Sequence, residues 1–228
     1  MSARNTLMTA IEATARVVAD FAAKAKGHGA ASVRVLATSA AREATNGDEL
    51  VSAISAGGLE LEIIDGQTEA ELVLRGVRSL PDLAEGPLAI IDVGGGSTEF
   101  LVADVTALRL QHSFLLGTVR WLEAFPVSDP PTDAERAKLV QALDEFLDEQ
   151  VTPKLGGLPL PGTLIGAGGT SVFLSRIFLE RSDLAVDEIE SLRLSLPEVQ
   201  SLTQRLWKMP LAARSELAGL PANRADVI

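Results

Sequence analysis

The sequence predicts an α/β protein built in two parts, and three observations carry that reading. Helix-like and strand-like stretches alternate as αβαβα up to about residue 80. Three strand-like stretches then follow one another between residues 88 and 117. Further on, "GTLIGAGGTSVFLSRIFLE" reads as strand, glycine turn and helix. The turn-rich "PDLAEGP" (81–87) is the expected boundary, giving parts 1–82 and 83–228.

In the first part, Leu7, Ile11, Val18 and Phe21 recur at helical spacing within residues 4–26. "SVRVLAT" (32–38) is a short β-rich run. Asn46 followed by Glu49 has the capping-box pattern, and Gly57 and Gly58 stop the helix it opens. "LELEII" (59–64) alternates like a strand, and "TEAELVLRGVRSL" (68–80) has helical periodicity.

In the second part, "LAIIDVG" reads as a buried strand, and "STEFLVADV" and "ALRLQHSFLLG" complete a predicted antiparallel meander. A short helix is expected near Val119–Ala124; "SDPPTDAERAKLVQALDEFLDEQV" then opens with Pro-rich punctuation and continues as an amphipathic helix to about Val151. Residues 181–191 read as a polar linker, "LPEVQSLTQRLWKM" as a helix, and "RADVI" as the start of an interrupted element.

Composition narrows the function. The chain has 228 residues, of which 46% are hydrophobic and 22% charged, so it can bury a core. No apolar run reaches bilayer length, and the first residues lack the features of a secretory signal. With no cysteine, disulfides and thiolate metal sites are excluded, and two histidines are too few for a histidine-based one. The expected address is cytoplasmic. A net charge of −11 argues against binding duplex nucleic acid. It also means that a polyanionic substrate needs local positive groups or a metal ion.

Four stretches carry candidate chemistry. In "IDVGGGSTEF" (91–100) a buried strand delivers Asp92 to Gly94, Gly95 and Gly96, then to the hydroxyls of Ser97 and Thr98 and to Glu99. Successive glycine N–H groups can cradle an anion, and the two acids are hard oxygen ligands suited to Mg²⁺. The competing reading is a plain hairpin with a glycine-rich turn. In "IGAGGTSVFL" (165–174), Gly166, Gly168, Gly169 and Thr170 open a helix whose N-terminus favours an anion; close helix–strand packing would explain them too. Glu69 and Glu71 lie in the first turns of a helix, where the macrodipole favours acids in any case. Thr38, Ser39 and Arg42 sit just past a strand end, where an Arg can clamp a phosphate or simply face solvent.

Taken in order, "ATSAAREATN", "IIDGQTEAELVLRGV", "IDVGGGSTEF", "SFLLGTVRWLE", "LIGAGGTSVFL" and "LPANRADVI" resemble the exopolyphosphatase and guanosine-pentaphosphate phosphohydrolase (Ppx/GppA) family along nearly the whole chain. The resemblance implies an actin/hexokinase/Hsp70-like (ribonuclease H-like) fold of two α/β lobes. It implies Mg²⁺-dependent hydrolysis of terminal phosphate from polyphosphate or guanosine pentaphosphate, commonly by a homodimer. By the same resemblance Glu69 is the catalytic carboxylate that activates water, and Asp92 and Glu99 are the metal-linked acids. Gly94, Gly95, Gly96, Ser97 and Thr98 form a phosphate loop. Gly168 and Gly169 form a glycine turn beside the cleft, and Arg42 is a phosphate contact.

The family begins with strands carrying an Asp-x-Gly-Ser-Asn-Ser-x-Arg type loop, and no such stretch precedes "ATSA" here. It also continues past "RADVI" with a further glycine turn and helix. The expectation is therefore a chain truncated at both ends, with a first lobe lacking part of its sheet. A non-catalytic relative that binds nucleotide or polyphosphate, or an inactive fragment, is the alternative. A kinase of the same superfamily is a weaker one.

Overall fold

The computed structural model describes residues 3–83, 86–104, 107–159 and 161–227. Ala84 and Glu85 of the expected boundary turn, and Ile228 of the last expected element, lie outside the described residues. The chain divides into two compact units, Met1–Glu69 and Ala70–Ile228.

The first unit opens with helix α1 (Ala3–Gly27), followed by strand β1 (Val35–Ala37), helices α2 (Ser39–Glu43) and α3 (Gly47–Ala56), strand β2 (Leu61–Ile63) and the first residues of helix α4 (Gly66–Arg78). β1 and β2 pair in parallel, with Val35 opposite Leu61 and Ala37 opposite Ile63. A parallel pair needs a crossover, which α2 and α3 supply. Neither strand has another partner among the described residues.

Two details of this unit differ from the sequence reading. α1 packs along α3, and its covered stripe is Ile11, Ala15, Val18, Ala22 and Ala25. Ala22 is 5% exposed, whereas Phe21 is 63% exposed. Small residues let two helix backbones approach, so Ala22 takes the inner position and the larger Phe21 stays outside, with Lys24 Nζ 5.7 Å from its ring centroid. The capping box expected at Asn46 and Glu49 does not form, because no side-chain bond caps α3.

The second unit contains most of α4, then strands β3 (Leu88–Val93), β4 (Thr98–Ala103) and β5 (Leu108–Phe114). Helices α5 (Thr118–Ala124) and α6 (Asp133–Phe146) follow. A π segment (Leu147–Val151) leads into α7 (Thr152–Leu155), just ahead of Pro153, which has no N–H to continue the ladder. Strand β6 (Leu164–Ala167) and helices α8 (Gly168–Leu179), α9 (Val186–Ser191), α10 (Leu196–Trp207) and α11 (Leu211–Arg214) complete the described elements, apart from two 3₁₀ turns. The sheet order is β5-β4-β3-β6. The predicted meander forms, and β6 adds to β3 in parallel.

α4 covers this sheet. Ala70 and Val77 are buried against Leu88, Ile90, Leu101 and Ala103. Ile90 and Leu101 are fully buried, and each such side chain contributes about 2 kcal/mol of burial. α8 and α10 form a second core around Ile177, Leu202 and Leu206, closed by Leu220 and Ala225. The segment read as a polar linker contains α9, whose start is fixed where the Ala185 N–H donates to the Glu188 carboxylate at 3.0 Å. Among the described residues no helix is long and apolar enough to cross a membrane.

Helix α6 starts with a reciprocal cap. Thr132 N–H donates to Glu135 Oε2 at 2.7 Å, and Glu135 N–H donates to Thr132 Oγ1 at 3.2 Å. The Thr132 backbone bond, with help from the Ser128 hydroxyl, holds the Glu135 carboxyl at about 2, below its usual 4.5. A depressed folded-state value means that this stabilisation is complete above pH 4.5 and is lost as pH falls towards 2. Glu135→Gln should therefore lower the Tm at neutral pH, and its gap to wild type should close on acidification through that window, as read by thermal unfolding at stepped pH.

Candidate functional site

β3 and β6 run in parallel, so their C-terminal ends lie at one edge of the sheet. Ligands of open α/β sheets gather at such an edge. β3 feeds the Gly94–Ser97 loop and β6 feeds the Gly168–Gly169 turn, so strand pairing alone brings two of the glycine clusters together.

The antiparallel register sets Asp92 directly opposite Glu99, and β5 sets Ser113 opposite Glu99. Residues directly opposite share a face, which makes a row of Asp92, Glu99 and Ser113 across three strands. Like charges so placed repel, and hydrogen-bond donors meet part of that cost. Ser97 Oγ donates to Glu99 Oε1 at 2.9 Å and Ser113 Oγ donates to the same oxygen at 2.7 Å. Glu99 is 2% exposed. Asp92 lies against the Cα of Gly168, where a Cβ would collide with its carboxylate. Gly168 also has φ +75°, a left-handed conformation that glycine adopts without penalty. Asp92 thus stands at the start of α8, where the macrodipole favours negative charge.

The Gly94–Ser97 loop is closed by Gly94 N–H donating to Ser97 O at 2.9 Å. None of Gly94, Gly95 and Gly96 has a positive φ, so the loop asks for space rather than for left-handed backbone. A Cβ on Gly94 would lie 3.1 Å from Ser97 O, and one on Gly95 3.3 Å from Val119 Cγ2. The loop's carbonyls turn towards α5: Thr118 N–H reaches Gly94 O at 3.0 Å, and Val119 N–H reaches Gly95 O at 3.0 Å. Gly117 permits this approach, because a Cβ there would overlap the Gly95 carbonyl. Among the described residues, the N–H groups of Gly95, Gly96 and Ser97 donate to no backbone carbonyl. A run of unspent N–H groups is what an anion cradle requires.

The two hydroxyls expected to line the loop turn inwards. Ser97 serves Glu99, and Thr98, 2% exposed, donates to Leu116 O. Thr170, read as a helix cap, instead donates to Val93 O at 2.8 Å and ties α8 to the end of β3. Ser113, which donates to Glu99, Gly117, which lies against the Gly95 carbonyl, and Arg120, whose Nε donates to Gly96 O, are contacts of the candidate site that motif reading passed over. The only signal for them was their place in the "SFLLGTVRWLE" block.

Arg42 and Glu69 come together inside the first unit. Arg42 Nη1 donates to Glu69 Oε2 at 3.0 Å and to Ile64 O at 2.7 Å. The two side chains are 24% and 18% exposed. Glu69 sits in the first turn of α4, whose start is fixed by Thr68 N–H donating to Asp65 Oδ1 at 2.7 Å. The Thr68 bonds hold the Asp65 carboxyl below its usual range.

Removing one donor from a buried carboxylate exposes the bond's worth. Ser113→Ala should lower the unfolding free energy by about 2 kcal/mol, the usual value of a hydrogen bond to a charged group. Ser113→Thr should recover most of it, and urea denaturation of the three proteins checks both.

The family model of the Ppx/GppA phosphatase family matches residues 3–228. The chain is 33% identical over 227 residues to exopolyphosphatase 2 of Mycobacterium tuberculosis, covering 96% of this chain and 70% of that protein. It is 32% identical over 196 residues to the guanosine-5'-triphosphate,3'-diphosphate pyrophosphatase of Aeromonas salmonicida, covering 86% of this chain and 38% of that protein. Among solved structures, an exopolyphosphatase from Cytophaga hutchinsonii superposes with a TM-score of 0.86 at 28% identity, covering 96% of this chain and 70% of that one. The Aquifex aeolicus Ppx-GppA enzyme superposes with a TM-score of 0.77 at 25% identity, covering 95% of this chain and 71% of that one. The mixed α/β chain shares the actin/hexokinase-like fold of these neighbours. On the match of residues 3–228 and this identity across almost its full length, the chain belongs to the Ppx/GppA phosphatase family.

Proposed function

We propose that this chain hydrolyses the terminal phosphoanhydride of inorganic polyphosphate or of guanosine pentaphosphate, with Mg²⁺ bound. The observation that carries the reading is the Asp92–Glu99 pair, set directly across two strands beside a loop with unspent N–H groups. The relatives named for polyphosphate and for the guanosine nucleotide support both substrates. The cytoplasmic address and the homodimer remain parts of this proposal.

The donor set fits a hard cation. Asp92 and Glu99 offer carboxylate oxygens, and no thiolate or imidazole stands in their strand-to-strand row. Mg²⁺ is commonly held by one or two carboxylates, with water and substrate phosphates completing its shell. Among the described residues no group of three or more His, Cys, Asp or Glu is suited to a metal. When bound, the ion neutralises charge on the phosphoryl oxygens.

The chain's own residues supply the rest. The N–H groups of Gly95, Gly96 and Ser97 bind phosphate oxygens and hold the terminal phosphorus in place. By the family resemblance Glu69 accepts the proton of the attacking water; within the first unit Arg42 fixes that carboxylate through their 3.0 Å bond. The new bond joins water oxygen to the terminal phosphorus. The bond broken is the bridging P–O, whose electron pair leaves with the shortened chain. Positioning and charge compensation, rather than covalent catalysis, are what phosphoryl transfer demands.

Phosphate release from long-chain polyphosphate and from guanosine pentaphosphate, in Mg²⁺ and in EDTA, tests the reading. We expect Mg²⁺-dependent release from at least one, lost by about a thousandfold in Glu69→Gln, as for removal of a general base. Asp92→Asn should raise the Mg²⁺ concentration for half-maximal activity, or for half-maximal binding if turnover is absent. Release that persists in EDTA, or in Glu69→Gln at the wild-type rate, would sink the mechanism. A folded chain that binds both ligands without turnover would establish the non-catalytic alternative.

A further inference from the structure

Three consecutive carbonyls of the glycine loop are all spent on α5. Thr118 N–H holds Gly94 O, and Val119 and Arg120 N–H share Gly95 O at 3.0 and 3.1 Å. Gly96 O has a different partner: Arg120 Nε donates to it at 2.8 Å. The third clasp is therefore a guanidinium, a full positive charge, where the first two are neutral amides.

A peptide unit is planar, with its C=O and N–H pointing opposite ways. Gly96 O and Ser97 N–H belong to one unit. Whatever fixes the oxygen fixes the direction of that N–H, and a cation on the oxygen draws electron density from the nitrogen. Charge-assisted bonds are roughly twice as strong as neutral ones, and bonded chains polarise one another. Ser97 N–H is thereby both aimed away from α5 and made a better donor. Its own side chain cannot compete for a ligand, because Ser97 Oγ is committed to Glu99 and the residue is 4% exposed.

We propose that Arg120 is a positioning residue of the phosphate loop, orienting and polarising the Ser97 N–H from behind so that it grips a phosphate oxygen. Arg120 acts without touching the ligand. In a chain of net charge −11 this brings a cation to bear on an anion site through the peptide group between them. The inference rests on the phosphate-loop reading above, though not on turnover.

The test reads orthophosphate binding by ³¹P line broadening in Mg²⁺, for wild type, Arg120→Gln, Arg120→Lys and Arg109→Gln. Arg109, paired with Asp104 on β5, controls for the loss of one positive charge elsewhere. We expect Arg120→Gln to bind orthophosphate about tenfold more weakly, the loss of one charge-assisted bond. Arg120→Lys should recover part of that loss, Arg109→Gln should match wild type, and the Mg²⁺ concentration for half-saturation should hold in all four. A role confined to stapling α5 would lower the urea midpoint and leave the affinity of the folded protein unchanged. Folded Arg120→Gln within twofold of wild type overturns the proposal, as does an equal loss in Arg109→Gln. Should Arg120→Gln fail to fold, Arg120→Lys decides: wild-type affinity overturns, a partial loss supports. No orthophosphate binding by wild type also overturns it. Arg120-dependent binding without release from polyphosphate would keep this inference and remove the enzymatic reading.

Discussion

Two carboxylates stand directly across one strand pair, and the surroundings of the site are arranged around that repulsion. Asp92 and Glu99 face the same side by register, so the sheet cannot relieve them by turning one away. Glu99 is buried and meets two hydroxyl donors on one oxygen. Asp92 is placed at the opening of α8, against a residue with no side chain. Each carboxylate thus has its own local compensation, and the face between them stays polar.

The same economy governs the glycine loop. Its carbonyls are satisfied from one side by α5 and Arg120, and its N–H groups are left for the other side. Buried backbone groups must find partners, so a loop that directs all its acceptors one way has in effect chosen where its donors go. The close approach at Gly117 and the tie from Thr170 to Val93 anchor the two ends of this arrangement to α5 and α8. In a chain of net charge −11, the positive groups turned to this loop are peptide N–H groups of α5 and the Arg120 guanidinium.

Much of this was legible in the sequence because it rests on local pattern. The alternation and turns around "IDVGGGSTEF" gave the meander, whose register sets the two acids flanking the glycines opposite each other. What was not legible depends on register or on competition for space. Ser113 reaches Glu99 only because β5 pairs in one particular register. Arg120 reaches Gly96 only because α5 folds back over the loop. Phe21 looked like a core residue by hydrophobicity, yet helix packing favoured its small neighbour Ala22. Asn46 carried a capping pattern whose side chain does not cap, whereas Glu188 fixed the start of α9 inside a stretch too polar to suggest one.

On the reading proposed above, the glycine loop offers a phosphate main chain alone, since the hydroxyls of Ser97 and Thr98 are turned inwards. Peptide N–H groups carry no proton to gain or lose near neutrality. On that reading the loop's own share of recognition is indifferent to acidity. Substitutions within the loop act by altering its shape, because there is no ligand-facing side chain there to exchange.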